Sequence, residues 1–127
     1  VDTAGQGTLG SAMTQSSGVF TFPSTGIWYV AMLLYTYDGA DYNYVYSEID
    51  VTTNNSSYTE VAQSVANGVT GASQRETSSV VSTLIDVTNT TNVKVKFGLS
   101  AATTGVNVWG DTARNGTNMM FIRLGDT

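Results

Sequence analysis

Nine consecutive residues, Ile27 to Tyr35, are apolar or aromatic. Successive side chains of an extended chain point to opposite faces. Ile27, Tyr29, Ala31, Leu33 and Tyr35 therefore share one face, and Trp28, Val30, Met32 and Leu34 the other. The run is far short of the ~20 residues that span a bilayer as a helix, so it reads as a strand with two apolar faces. Helical spacing is nearly missing along the chain. β-branched and aromatic residues dominate, and turn residues interrupt them at intervals of roughly ten positions. This predicts an all-β domain, an antiparallel sandwich of two sheets or a barrel. Strands are expected near Leu9 to Met13, Val19 to Phe22, Gly26 to Tyr37, Tyr42 to Thr52, Tyr58 to Val65, Ser78 to Val87, Asn92 to Leu99, Val106 to Trp109 and Met119 to Leu124.

The strands fall into two kinds. Val93, Val95, Phe97 and Leu99 share one parity, with Lys94 and Lys96 on the other; Val45, Ile49 and Val51 likewise oppose Tyr44, Tyr46, Glu48 and Asp50. Each has one core face and one wet face, the mark of an outer sheet. Ile27 to Tyr35 differs, as does the last strand, with Met119 and Phe121 on one side and Met120, Ile122 and Leu124 on the other. Val80 and Leu84 against Val81, Ile85 and Val87 repeat the pattern more weakly. Only one face of a sheet meets a sandwich core, so the second needs a cover. A partner subunit supplies one; a closed barrel or an overlying loop is the alternative.

The 127 residues suit a single domain, positions 1 to 127, with one core. The net charge is −5, with Arg75, Lys94, Lys96, Arg114 and Arg123 as the cations, which gives no basic footprint for nucleic acid or an anionic membrane. Cysteine and histidine are absent, excluding a disulfide framework, thiolate chemistry and Cys-based zinc sites. Charged residues make up 12%, with Thr, Ser, Asn and Gly abundant, a composition common on extracellular and viral β proteins. The start at Val1 without a signal peptide suggests a processed protein or the C-terminal domain of a longer chain. Asn67 to Thr77 reads as a mobile surface loop.

The segment Gly18-Val19-Phe20-Thr21-Phe22-Pro23-Ser24-Thr25-Gly26-Ile27-Trp28-Tyr29-Val30 resembles the signature of the complement subcomponent q and tumour-necrosis-factor-like family, with Val30 where the family carries an aromatic. Val93 to Phe97 and the closing Asn118 to Gly125 extend the resemblance over most of the chain, the closing glycine being displaced. The resemblance implies a ten-stranded, two-sheet jelly-roll sandwich whose inner sheet packs about a threefold axis. On it, Trp28, Val30 and Met32 with Met120, Ile122 and Leu124 are the expected homotrimer interface. Fibre and capsid-decoration domains of bacteriophages are similar, and the composition fits that setting best. The expected role is therefore a non-enzymatic structural domain on the virion surface, contacting capsid or fibre proteins. The alternative is a glycan- or receptor-binding head of a fibre or secreted protein.

Other candidate sites are weaker. Without His or Cys, acid–base chemistry falls to Glu48, Asp50 and Glu60, whose outward parity predicts solvated groups. Asp38-Gly39-Ala40-Asp41 is sufficiently explained as a turn, although Asp38 and Asp41 offer oxygen ligands and some relatives in the resembled family bind calcium; no metal or cofactor is assigned. Tyr42, Tyr44 and Tyr46 form a stripe suited to stacking on a glycan or packing on a neighbouring protein, and equally to cross-strand packing. Asn54, Asn55, Asn89 and Asn115 begin Asn-x-Ser/Thr patterns that chance alone supplies in so Asn- and Thr-rich a chain.

Overall fold

The computed structural model describes residues 10–38, 41–68, 71, 75–101, 106–111 and 113–127, excluding the side chains at positions 38 and 75. Among these residues there is no helix, and nine strands occur in chain order: β1 (Thr14–Ser16), β2 (Val19–Thr21), β3 (Gly26–Asp38), β4 (Tyr44–Thr52), β5 (Thr59–Asn67), β6 (Arg75–Val87), β7 (Lys94–Ala101), β8 (Asn107–Val108) and β9 (Asn118–Gly125). One sheet has the order β1-β2-β7-β4-β5. In the other, β3 is flanked by β6 on one side, while β9 and β8 share its opposite edge end to end. All pairings are antiparallel.

The pairings are nested: β4 with β5, β3 with β6, and β2 with β7. The chain runs as one long hairpin wound over into two layers. Between the layers, Val45, Ile49 and Val95 of one sheet, with Val93 just before β7, meet Trp28, Val30, Val81 and Ile85 of the other in a single buried cluster. The Phe121 ring of β9 lies 5.3 Å from that of Phe20 and 5.7 Å from that of Phe97, joining the layers at one end. In the interior, the hydroxyls of Ser47 and Ser79 satisfy each other across the gap at 2.5 Å.

Eight of the nine expected strands are present within a few residues of their predicted bounds. The first is not: positions 10–13 are not strand, and Leu9 lies outside the described residues. β1 forms instead at Thr14–Ser16, through a hairpin in which Ser17 (φ 49°) and Gly18 (φ 79°) are both left-handed, the two-residue turn that matches strand twist. Its three exposed polar residues give no hydrophobic signal. The expected loop from Asn67 to Thr77 is shorter than predicted, since β5 runs to Asn67 and β6 begins at Arg75.

The start of β3 depends on Gly26. Its φ is +133°, and an added Cβ would lie 2.3 Å from the Gly125 carbonyl oxygen, so only glycine lets β3 pass this close to the end of β9.

Candidate functional site

The three-stranded layer β6-β3-β9 has two faces with different fates. Its even-numbered β3 residues turn inward: Trp28, Val30 and Met32 are 6%, 0% and 3% exposed. Val81, Ile85 and Val87 of β6 join them in the core. On the opposite face, Leu84, Val80, Leu124, Met120 and Ile122 are 61%, 59%, 59%, 48% and 45% exposed. The register aligns Tyr29 with Leu84 on one side and Ile122 on the other, and Ala31 with Ser82 and Met120. The expected interface therefore splits. Met120, Ile122 and Leu124 lie on the outer face, whereas Trp28, Val30 and Met32 form the inner one and are already covered by the other sheet. Their partners on the outer face are Tyr29, Ala31 and Leu33 of β3 with Val80 and Leu84 of β6.

The outer face of β6 shows how this patch is bounded. In order it presents Glu76, Ser78, Val80, Ser82, Leu84 and Asp86, with carboxylates at both ends and only hydroxyl and aliphatic groups between. An apolar centre within a charged rim is the anatomy of an association surface.

On the other sheet the tyrosine stripe loses a member. Tyr42 is 1% exposed and part of the core, because it precedes β4 in an irregular segment and strand alternation does not yet apply. Its hydroxyl has no hydrogen-bond partner among the described residues. Tyr44 and Tyr46 do lie on the outer face, with ring centroids 4.8 Å apart. Glu48 stands beside them, partly exposed, and accepts hydrogen bonds from Ser100 Oγ at 2.6 Å and Gln63 Nε2 at 3.5 Å. The same amide reaches Glu60 at 3.5 Å. These two carboxylates are tied to neighbouring side chains, and with the partly exposed Asp50 they sit on an open sheet surface. Lys96 covers the Tyr58 ring at 3.9 Å.

Asp41 Oδ1 accepts the Gly71 N–H at 3.0 Å. Gly39, Ala40 and the Asp38 side chain lie outside the described residues, among which no three His, Cys, Asp or Glu side chains gather as a metal site.

A groove of about 360 Å³ opens where β3 meets the segment after β8, and Tyr35, Trp109, Arg114 and Asn115 line it. The segment is fastened tightly. Trp109 donates its N–H to the Tyr35 carbonyl at 2.9 Å, and the Thr117 hydroxyl both accepts the Tyr35 N–H at 3.1 Å and donates to the Tyr35 carbonyl at 3.2 Å. The Tyr35 and Trp109 rings meet at 65° with centroids 5.2 Å apart. A Cβ on Gly116 would lie 2.3 Å from the indole, so glycine lets the ring rest on the backbone. Arg114 Nε pairs with Asp111 at 2.9 Å. The Glu76 carboxylate, as acceptor for the phenol O–H, holds Tyr35 above its ordinary pKa, with desolvation and the carboxylate's charge adding to the effect.

No family model matches this chain, and no curated protein matches it either.

Proposed function

We propose that this chain is a subunit of a homotrimeric jelly-roll domain with a structural, non-enzymatic role on a virion surface, as capsid decoration or fibre head. The observation that carries the proposal is the exposed outer face of β6-β3-β9. Half-exposed Val, Leu, Ile and Met side chains each leave on the order of 1 kcal/mol of burial unrealised. Contiguous apolar patches of this kind mark interaction surfaces on soluble proteins. A second copy of the same face is the fitting occupant, because the patch is uncharged at its centre and acidic at both ends: identical apolar centres match, while the rims stay in water. The nested strand pairing supports the jelly roll, and the resemblance to the complement subcomponent q family supports threefold rather than twofold closure. The virion setting rests on that resemblance together with low charge and richness in Thr, Ser and Asn. Tyr44 and Tyr46 are the candidate contacts for a capsid or fibre neighbour.

Analytical ultracentrifugation tests the assembly. Wild type should sediment as a trimer and the double variant Leu84→Glu/Ile122→Glu as a folded monomer. A monomeric wild type, or a trimer that persists in the variant, overturns the interface. Location is tested separately with an antibody to the domain, which should label assembled particles; labelling confined to free protein overturns the virion setting.

A further inference from the structure

We infer that the groove beneath Trp109 is a binding site for a neutral saccharide of one or two pyranose rings. The Tyr35 and Trp109 rings supply a rigid apolar surface of the kind that packs against the C–H face of a sugar at little conformational cost. Arg114, Asn115 and Ser78 line the groove around them, with Leu33 completing the wall. An amide and a hydroxyl each donate and accept, and the guanidinium has five donors, of which Nε is taken by Asp111. Its terminal nitrogens have no partner among the described residues. Vicinal sugar hydroxyls, which also both donate and accept, match such a mixed set.

Charge selects the class of ligand. Asp111 offsets Arg114, and Glu76 stands beside Tyr35, so the neighbourhood carries no surplus positive charge to hold a carboxylate or sulfate. A neutral polyol meets no such obstacle. The volume, about 360 Å³, is at the small end of the roughly 300–1,000 Å³ of ligand pockets, which limits the occupant to one or two rings. The walls are preorganised: the Thr117 bridge and the contact of Gly116 with the indole fix the loop before any ligand arrives.

All of these groups belong to one chain, so the site is complete without a second copy, although through Leu33 and Ser78 it borders the proposed interface on the same outer face. It lies about four to six residues along β3 from the Tyr29–Leu84–Ile122 row, or roughly 13–20 Å at strand spacing.

Saturation-transfer-difference NMR tests the inference on the intact chain. The probes are methyl α-mannoside, methyl β-galactoside, N-acetylglucosamine and maltose, with N-acetylneuraminic acid and glucuronate as acidic counterparts. Transfer to the C–H protons of at least one neutral probe is expected, falling at least about fivefold in both Arg114→Ala and Asn115→Ala. Both positions are exposed, so circular dichroism should show the fold retained, and sedimentation should be unchanged. Transfer to none of the neutral probes, transfer to the acidic ones alone, or neutral binding undiminished in the two variants overturns it. Because sedimentation reads the trimer independently, loss of one reading leaves the other standing.

Discussion

The two sheets share one core but present contrasting outer faces. On β1-β2-β7-β4-β5 the outer face mixes Lys94, Lys96, Glu48, Asp50 and Gln63 with exposed Tyr44, Val61 and Val65; Glu48 binds Gln63 and Ser100, Lys94 binds Thr21 and Thr90, and Lys96 covers Tyr58. On β6-β3-β9 the corresponding positions are Val80, Leu84, Met120, Ile122 and Leu124. On the first face charged and polar side chains run between the apolar ones, and its long side chains lie along their neighbours. The second leaves apolar surface wet on a layer whose inner side is already filled. Apolar composition alone does not distinguish a core face from an interface face; the difference lies in which one the rest of the chain covers.

The sharpest way to break the comparison places a carboxylate on each side of the same layer. Val30→Asp introduces an unpaired charge where no solvent reaches, costing several kcal/mol, and should abolish the cooperative thermal transition. Ile122→Asp should keep that transition and lose only the proposed trimer in sedimentation. Gly26→Ala should cost about 2–4 kcal/mol in denaturant titration, from its positive φ and the contact with Gly125. On the wet face, Lys96→Ala should change stability by no more than about 0.5–1 kcal/mol and leave sedimentation unaltered, because exposed charge contacts contribute little.

The smallest effect concerns Tyr35. Its phenol is raised in the folded state, so the associated stability is fully present below the ordinary tyrosine value near 10 and is lost as pH rises through the raised one. Ultraviolet titration of the phenols should show one group ionising late, and Glu76→Gln should bring it back toward the others.

The strand pattern was largely legible in the sequence. At the start of β7, Val95 and the preceding Val93 are buried opposite Lys94 and Lys96, as alternation requires. Alternation could not say which face of β3 turns inward, since both parities are apolar, and the interface assignment mixed them. A signal was available: Tyr29, Tyr35 and Tyr37 all fall on one parity, and a phenol needs a polar partner if buried, which marks that side as outer. Tyr42 was misplaced because alternation was extended two residues before β4 begins. The groove had no sequence signature, since Tyr35 and Trp109 lie far apart in the chain and are brought together by the β3–β8 pairing, the Trp109 backbone bond to Tyr35 and the Thr117 bridge, and the need for Gly116 exists only once the indole is in place.

Nested pairing also sets the order of events as the chain folds. By sequence separation the β4–β5 hairpin should close first, β3 and β6 should zip over it next, and the Phe20–Val95 contact of β2 with β7 should follow both. Closing such distant segments makes all-β domains slow, typically milliseconds to seconds. β9, last in the chain, must dock on an edge of β3 that stays open until then, from Ile27 to Leu33. During that interval an unpaired strand edge borders an apolar face, so crowded chains should mispair there, and refolding yield should fall as protein concentration rises.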